Sequence, residues 1–303
     1  MSDDLTILAT TSAEATPVDA GTAPGRRGRG RRRAARSVSF TVGALLVGLV
    51  VLAGLVSLVW SPYPLTDDSG PRLGGPSAEH WAGTDRLGRD LFTQLLDGAG
   101  NAVLVAASTT AIAAAIGVLV GIVAATTTRW LDVALQSVVD LLIAFPTLLL
   151  AMLIVTVRGA SMSSAIVAIG LAGSAVIARV TRVNTARVLR EDYITAAAAS
   201  GTGYWGTVLR HVLPNITPTL LVQLMLLAGG AVLSEASLSY LGLGAPPPQA
   251  SWGRMLREAQ STIGVQPWGA IFPGVAIAAF VLGLNLLGDG IRERRDPSLG
   301  GRR

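Results

Sequence analysis

The chain has 303 residues, half of them hydrophobic and only 14% charged, with a formal net charge of +5 and a mean hydropathy of +0.54. A soluble domain carries about a quarter charged residues, so this composition predicts apolar runs of roughly 20 residues, long enough to cross a bilayer. The lack of cysteine excludes disulfides, thiolate metal sites and iron–sulfur clusters. All 24 basic residues are arginine, which excludes a phosphate-loop lysine and a lysine Schiff base.

In chain order, residues 1–36 are small and polar, then strongly basic from Arg26 to Arg36. Such a segment cannot bury a core, and it reads as a disordered basic tail. Its arginines either contact anionic lipid or hold the N-terminus inside as a stop signal. The first apolar run, Val38 to Trp60, is about 23 residues long. It is too long for a signal-peptide core and is followed by Ser61-Pro62-Tyr63-Pro64, so residues 37–60 read as an uncleaved anchor. An outer loop, 61–100, follows. The remaining spans are expected at Asn101–Thr126, Leu131–Val157, Ser163–Val180, Thr217–Leu238 and Ala270–Leu287, with a short tail at 291–303. The result is an all-α membrane protein with six transmembrane helices and both termini on one side.

Arginine distribution selects that side. With the N-terminus inside, the inner segments hold 18 arginines and the outer segments six (Arg72, Arg86, Arg89, Arg158, Arg254 and Arg257). An excess of basic residues marks cytoplasmic segments, which predicts an N-in, C-in topology.

The inner segment 181–215 within the core region 101–290 does not read as a linker. Helix formers from Ala186 to Ser200 end at Gly201, a residue suited to a left-handed helix stop. A second helix is expected from Tyr204 to Leu213. Trp205, Val208, Leu209 and Val212 would form one apolar face along the membrane interface, and Pro214 would mark its end. The alanines from Ala196 to Ala199 are too small to fill a core, but they let a helix approach another surface closely.

Thr195-Ala196-Ala197, three residues, Gly201, then nine residues and His211-Val212-Leu213-Pro214 resembles the cytoplasmic motif of ABC-importer permeases. That motif reads E-A-A, three residues, G, nine residues, I-x-L-P. Thr195 replaces its Glu and His211 its Ile, so any salt bridge made by that Glu is missing here. Three further stretches are similar to the second, C-type permease of the dipeptide/oligopeptide/nickel importers: Gly83 to Asp90, Ser234 to Gly244 continuing to Ser251-Trp252-Gly253, and Phe272-Pro273-Gly274 with Asn285 to Gly290.

The resemblance implies a type I ABC importer permease fold in the cell inner membrane. It implies a non-catalytic subunit that forms half a pore for di- or oligopeptides; a nickel chelate or a modified peptide such as glutathione is the alternative cargo. Its implied partners are a second homologous permease, ABC ATPase subunits and an extracytoplasmic substrate-binding protein. Thr195, Ala196, Ala197, Ala198, Gly201, Leu213 and Pro214 would couple to the ATPase.

Charge is costly in a membrane span, so Asp140 and Glu235 either line the translocation path or contact a peptide's amine, or else make buried hydrogen bonds to a neighbouring helix or to the partner permease. Pro146 removes a backbone donor and is expected to kink the third span. In the outer loops, Trp81, Asp85, Asp90 and Trp252 either dock the binding protein or pack on their own helices. His80 and His211 form no paired-histidine motif, and no Ser–His–Asp or paired-carboxylate arrangement can be assembled, so no catalytic, metal or cofactor site is expected. An ion-coupled secondary transporter is the rival class, but it predicts inverted repeats and more intramembrane carboxylates than these two.

Overall fold

The computed structural model describes the backbone of residues 27–295 and the side chains of residues 38–293. Among the described residues the protein is helical, and an isolated bridge between Thr84 and Asp90 is the one strand-like feature. Among the described residues five helices are long and apolar enough to cross a membrane: Val38–Ser57, Leu91–Thr126, Met162–Val188, Tyr204–Tyr240 and Trp268–Glu293. The sixth expected span is a bent pair, α3 (Arg129–Ala144) and α4 (Thr147–Arg158), meeting at 91°.

Helix α1 (Arg27–Ser57) begins ten residues before the expected anchor, inside the segment expected to lack structure. Arginine and alanine are good helix formers, and extending an existing helix costs far less than nucleating one. The expectations for residues 1–26 and 296–303 lie outside the described residues. On α1, Leu45, Leu49, Leu52 and Leu55 point outward, as suits a lipid-facing stripe.

Helix α2 (Leu91–Thr126) also starts ten residues earlier than expected, because Asp90 caps it: the Thr93 amide donates to Asp90 Oδ2 at 2.7 Å. The outer loop therefore ends at residue 90. Helix α2 makes its most extensive contact with α5 (Met162–Val188). In lipid no hydrophobic force drives helices together, so close packing of small residues must do so. Gly117 and Gly121 permit it. A Cβ at Gly117 would lie 2.7 Å from the Ser174 carbonyl, and one at Gly121 would lie 2.6 Å from the Ala178 carbonyl.

The third span breaks rather than kinks. Pro146 lacks an N–H and pushes the preceding residue out of the helical region. Phe145 accordingly sits at ψ 134° and Pro146 at ψ 123°, two extended residues between α3 and α4.

After α5 come α6 (Asp192–Ala199), α7 (Tyr204–Thr207), a π-helical turn (Val208–Val212) and α8 (Leu213–Tyr240). Short helix α9 (Trp252–Ala259) packs on α8 and α10 (Trp268–Arg295) on the outer side. One buried cluster joins α1, α2, α8, α9 and α10 through residues such as Val50, Ala102, Val232, Trp252 and Phe280. A second cluster gathers Ile177, Val188, Ile194, Val212 and Ile216 beneath the inner loop.

Candidate functional site

The inner loop is shorter than the sequence suggests, because α5 continues to Val188 and buries Thr181 and Thr185. Helix α6 is a separate element that follows a break at residues 189–191. Its one buried residue is Ile194, only 6% exposed, which inserts into the cluster with Val188, Val212 and Ile216. A polar tie supports this anchor: Asn215 Nδ2 donates to the Tyr193 hydroxyl at 2.7 Å.

The helix stops in two reciprocal bonds. The Gly201 amide donates to the Ala198 carbonyl at 3.0 Å and the Thr202 amide to the Ala197 carbonyl at 3.1 Å, with Gly201 at φ +85°. This is a Schellman stop, which needs a residue tolerant of left-handed backbone. No atom lies within 4 Å of a Cβ built at Gly201, so backbone conformation and not space requires glycine there.

With Ile194 turned inward, Thr195, Ala196, Ala198 and Ala199 face outward and Ala197 is half-buried. The expected coupling residues therefore divide. Thr195, Ala196 and Ala198 form an open small-residue surface, Gly201 shapes its end, and Leu213 packs against the cluster that holds Ile194. Pro214 is exposed at the start of α8 and does not end a helix. The chain stays helical through it because the π turn widens the helix just before it: Leu213 N–H donates to the Val208 carbonyl, five residues back. An ordinary turn would press the Pro214 ring against the Arg210 carbonyl.

The same turn overturns the expected single apolar face. Val208 and Val212 are buried, whereas Trp205 and Leu209 are exposed. A hydrogen bond of 2.7 Å between the Tyr204 hydroxyl and Thr126 Oγ1 ties this region to the end of α2.

Within the spans, Asp140 on α3 pairs with Arg179 on α5, and both side chains remain open to their surroundings. Nearer the start of α3, Asp132 accepts two bonds from Arg182, each 2.6 Å. Arg179 lies inside the span expected to end at Val180 and Arg182 just beyond it; both counted with the inner segment, and their α3 partners are 39 and 50 residues away. Glu235, by contrast, lies in the interior. It is buried, Ser239 Oγ donates to it at 2.5 Å, and α9 presses against α8 beside it, where a Cβ at Gly253 would lie 2.0 Å from the Ala236 carbonyl. That hydrogen bond comes from its own helix, one turn further along α8.

The outer candidates divide likewise. Trp81 is exposed, within 5.1 Å of Phe92 and 6.3 Å of Trp60 by ring centroids. Asp85, Asp90 and Trp252 are buried and pack within the fold of this chain. Asp85 Oδ1 accepts from the Leu87 and Arg89 amides at 2.8 and 3.0 Å, and its Oδ2 from Arg89 Nε and Gln94 Nε2 at 2.7 and 3.1 Å. Arg89 also reaches Glu258 on α9 at 2.8 Å, and Glu258 in turn accepts from Arg254 at 2.9 Å. Asp90 faces His80 Nδ1 at 2.9 Å in addition to capping α2. Trp252 Nε1 donates to the Leu95 carbonyl at 3.1 Å, its indole lying over Gly98. Local motif reading could not find these partners, because Glu258 and Trp252 are more than 150 residues from theirs.

Residues 117–301 match the family described as the binding-protein-dependent transport system inner membrane component. The dipeptide transport system permease protein DppC of Alkalihalophilus pseudofirmus is 37% identical over 261 residues, covering 84% of this chain and 86% of that one. The glutathione transport system permease protein GsiD of Pectobacterium atrosepticum is 37% identical over 262 residues, covering 84% and 87%. The family's members are non-catalytic membrane subunits that work with an ABC ATPase and a substrate-binding protein. The protein is thus a multi-pass inner-membrane permease subunit with an all-helical type I importer fold, and it belongs to the family of binding-protein-dependent transport system inner membrane components.

Proposed function

We propose that this subunit forms half of a pore for di- or oligopeptides, completed by a second homologous permease. In this reading an ATPase subunit moves it by gripping the outward surface of α6. The observation that carries the proposal is the construction of α6: a short helix fixed from below by Ile194, closed by the Gly201 stop, and presenting small side chains outward over its last five residues, after exposed Asp192 and Tyr193. Small residues let a rigid helix seat closely in a groove, and a fixed anchor passes displacement to α5 and α8 without slack. In this reading the N-terminus, the C-terminus and residues 189–215 face the cytoplasm, in line with the arginine excess. The extracytoplasmic binding protein meets the outer cap around exposed Trp81, and the basic tail meets anionic lipid.

ATP binding would select one of two packings of the spans, since a ligand shifts only states between which it discriminates. The test is reconstitution with the second permease, the ATPase and the binding protein in liposomes. ATP-dependent uptake of dialanine is expected, and uptake that ignores ATP and collapses with the proton gradient would overturn the reading. A modified peptide such as glutathione is the second cargo reading, favoured by the equal identity to the glutathione permease. Competition of glutathione against dialanine uptake separates the two.

A further inference from the structure

We infer that the Asp140–Arg179 pair lines the water-filled route through the membrane and is the charged contact that a zwitterionic peptide meets on its way; this rests on the peptide-importer reading above. Three observations support it. Arg179 lies 17 residues beyond Met162, about 25 Å along α5 at 1.5 Å per residue. That distance falls short of the roughly 30 Å of a bilayer's hydrocarbon core, counted from the outer end of the helix. Yet the pair is not covered by this chain: the side chains are 61% exposed for Asp140 and 45% for Arg179.

Ionised groups are not left against lipid tails; they face protein or water. Second, the backbone breaks at Phe145 and Pro146, five and six residues beyond Asp140, and both residues are exposed. Irregular backbone at membrane depth is tolerated only against protein or along a water-filled cavity. Third, the charges continue: Asp132 and Arg182 form a second α3–α5 pair one turn further along α5 toward the inner loop. A hydrated wall accounts for all three, because water satisfies the open faces of both charges and the two extended residues.

The chemistry fits the cargo class. A peptide with free ends carries one ammonium and one carboxylate. Asp140 and Arg179 offer the complementary charges side by side, able to exchange their mutual bond for bonds to the passing ends.

The chain has no cysteine, so Arg179→Cys introduces a single thiol into this subunit. In the assembled transporter, a membrane-impermeant cationic methanethiosulfonate should label that position about tenfold faster than the anionic analogue, because Asp140 is left unpaired beside it. Turnover of dialanine with ATP and binding protein should slow the labelling. The lipid-facing control Leu45→Cys should stay unlabelled. No labelling by either reagent, or labelling indifferent to dialanine turnover, would overturn the inference. In a second arm, the double variant Asp140→Asn, Arg179→Gln should still assemble with the ATPase but take up dialanine about tenfold more slowly, the value of one charge-assisted contact. Uptake at the wild-type rate would equally overturn it. If the wild-type complex carries no peptide, the importer reading falls instead, and the labelling still decides whether this face is wet.

Discussion

The outer cap and the inner knob are held in opposite ways. Outside, residues 83–90 and α9 are bound by a buried polar network in which Asp85 accepts four hydrogen bonds and Arg89 bridges to Glu258. Inside, α6 rests on one buried isoleucine, one tyrosine–asparagine bond and a glycine stop. A buried network has no partly satisfied intermediate and so resists deformation. A small helix on a single apolar anchor can be presented whole to another protein. The cap is built to stay and the knob to be held.

The largest expected effect is in the cap. Asp85→Ala removes the acceptor of Gln94 and of Arg89 Nε in a buried site, leaving Arg89 with Glu258 alone, and breaking one partner of such a pair costs about 3–5 kcal/mol. A clear fall in the thermal midpoint of the detergent-solubilised protein, reproduced by Glu258→Ala at smaller size, checks this. An unchanged midpoint would mean that the cap contributes little to the fold.

Next is the anchor of the knob. Ile194→Ala removes the one buried side chain of α6 and should cost about 2–4 kcal/mol locally, from lost burial and the cavity left behind. Hydrogen exchange at the amides of residues 192–202 should rise steeply while α2 and α5 stay protected. Uniform loss of protection would contradict a local anchor.

A smaller cost follows at the stop. Gly201→Val places a β-branched residue at φ +85°, a strain of roughly 1–2 kcal/mol. Insertion and the thermal midpoint should change little, but ATP hydrolysis should no longer be matched by uptake. Wild-type coupling would separate the knob from the ATPase.

The smallest effect on stability is at the surface. Ala198→Leu adds a side chain to an exposed position, which should leave stability within about 0.5 kcal/mol. It should still weaken ATPase co-purification, since bulk blocks close seating. Unaltered co-purification would remove Ala198 from the contact.

Much of the architecture was legible because lipid imposes long apolar runs, and these positioned the spans. Misplaced boundaries came from polar residues acting locally: Asp90 caps α2 from within a motif that read as loop, and Thr181 and Thr185 are buried in a helix expected to have ended. Pro146 was read correctly as a disruption, but its size depended on Phe145 also becoming extended. The face of Trp205, Val208, Leu209 and Val212 failed because a π turn ahead of Pro214 breaks the ordinary helical register. At the site, the alanine run and Gly201 were visible from type and spacing alone. The roles of Trp252 and Arg179 were not, since each depends on a partner far along the chain, and that of Asp85 was not, since its partners Leu87, Arg89 and Gln94 come together only through the fold of residues 85–94.

The most direct test of the central claim is photocrosslinking from Ala198. With a short photoreactive amino acid at that position, irradiation of the assembled transporter should give an adduct between this subunit and the ATPase, and its yield should change between ATP-bound and nucleotide-free states. An adduct to the extracytoplasmic binding protein, or to lipid alone in both states, would contradict the proposal that the α6 surface is where the ATPase grips the permease.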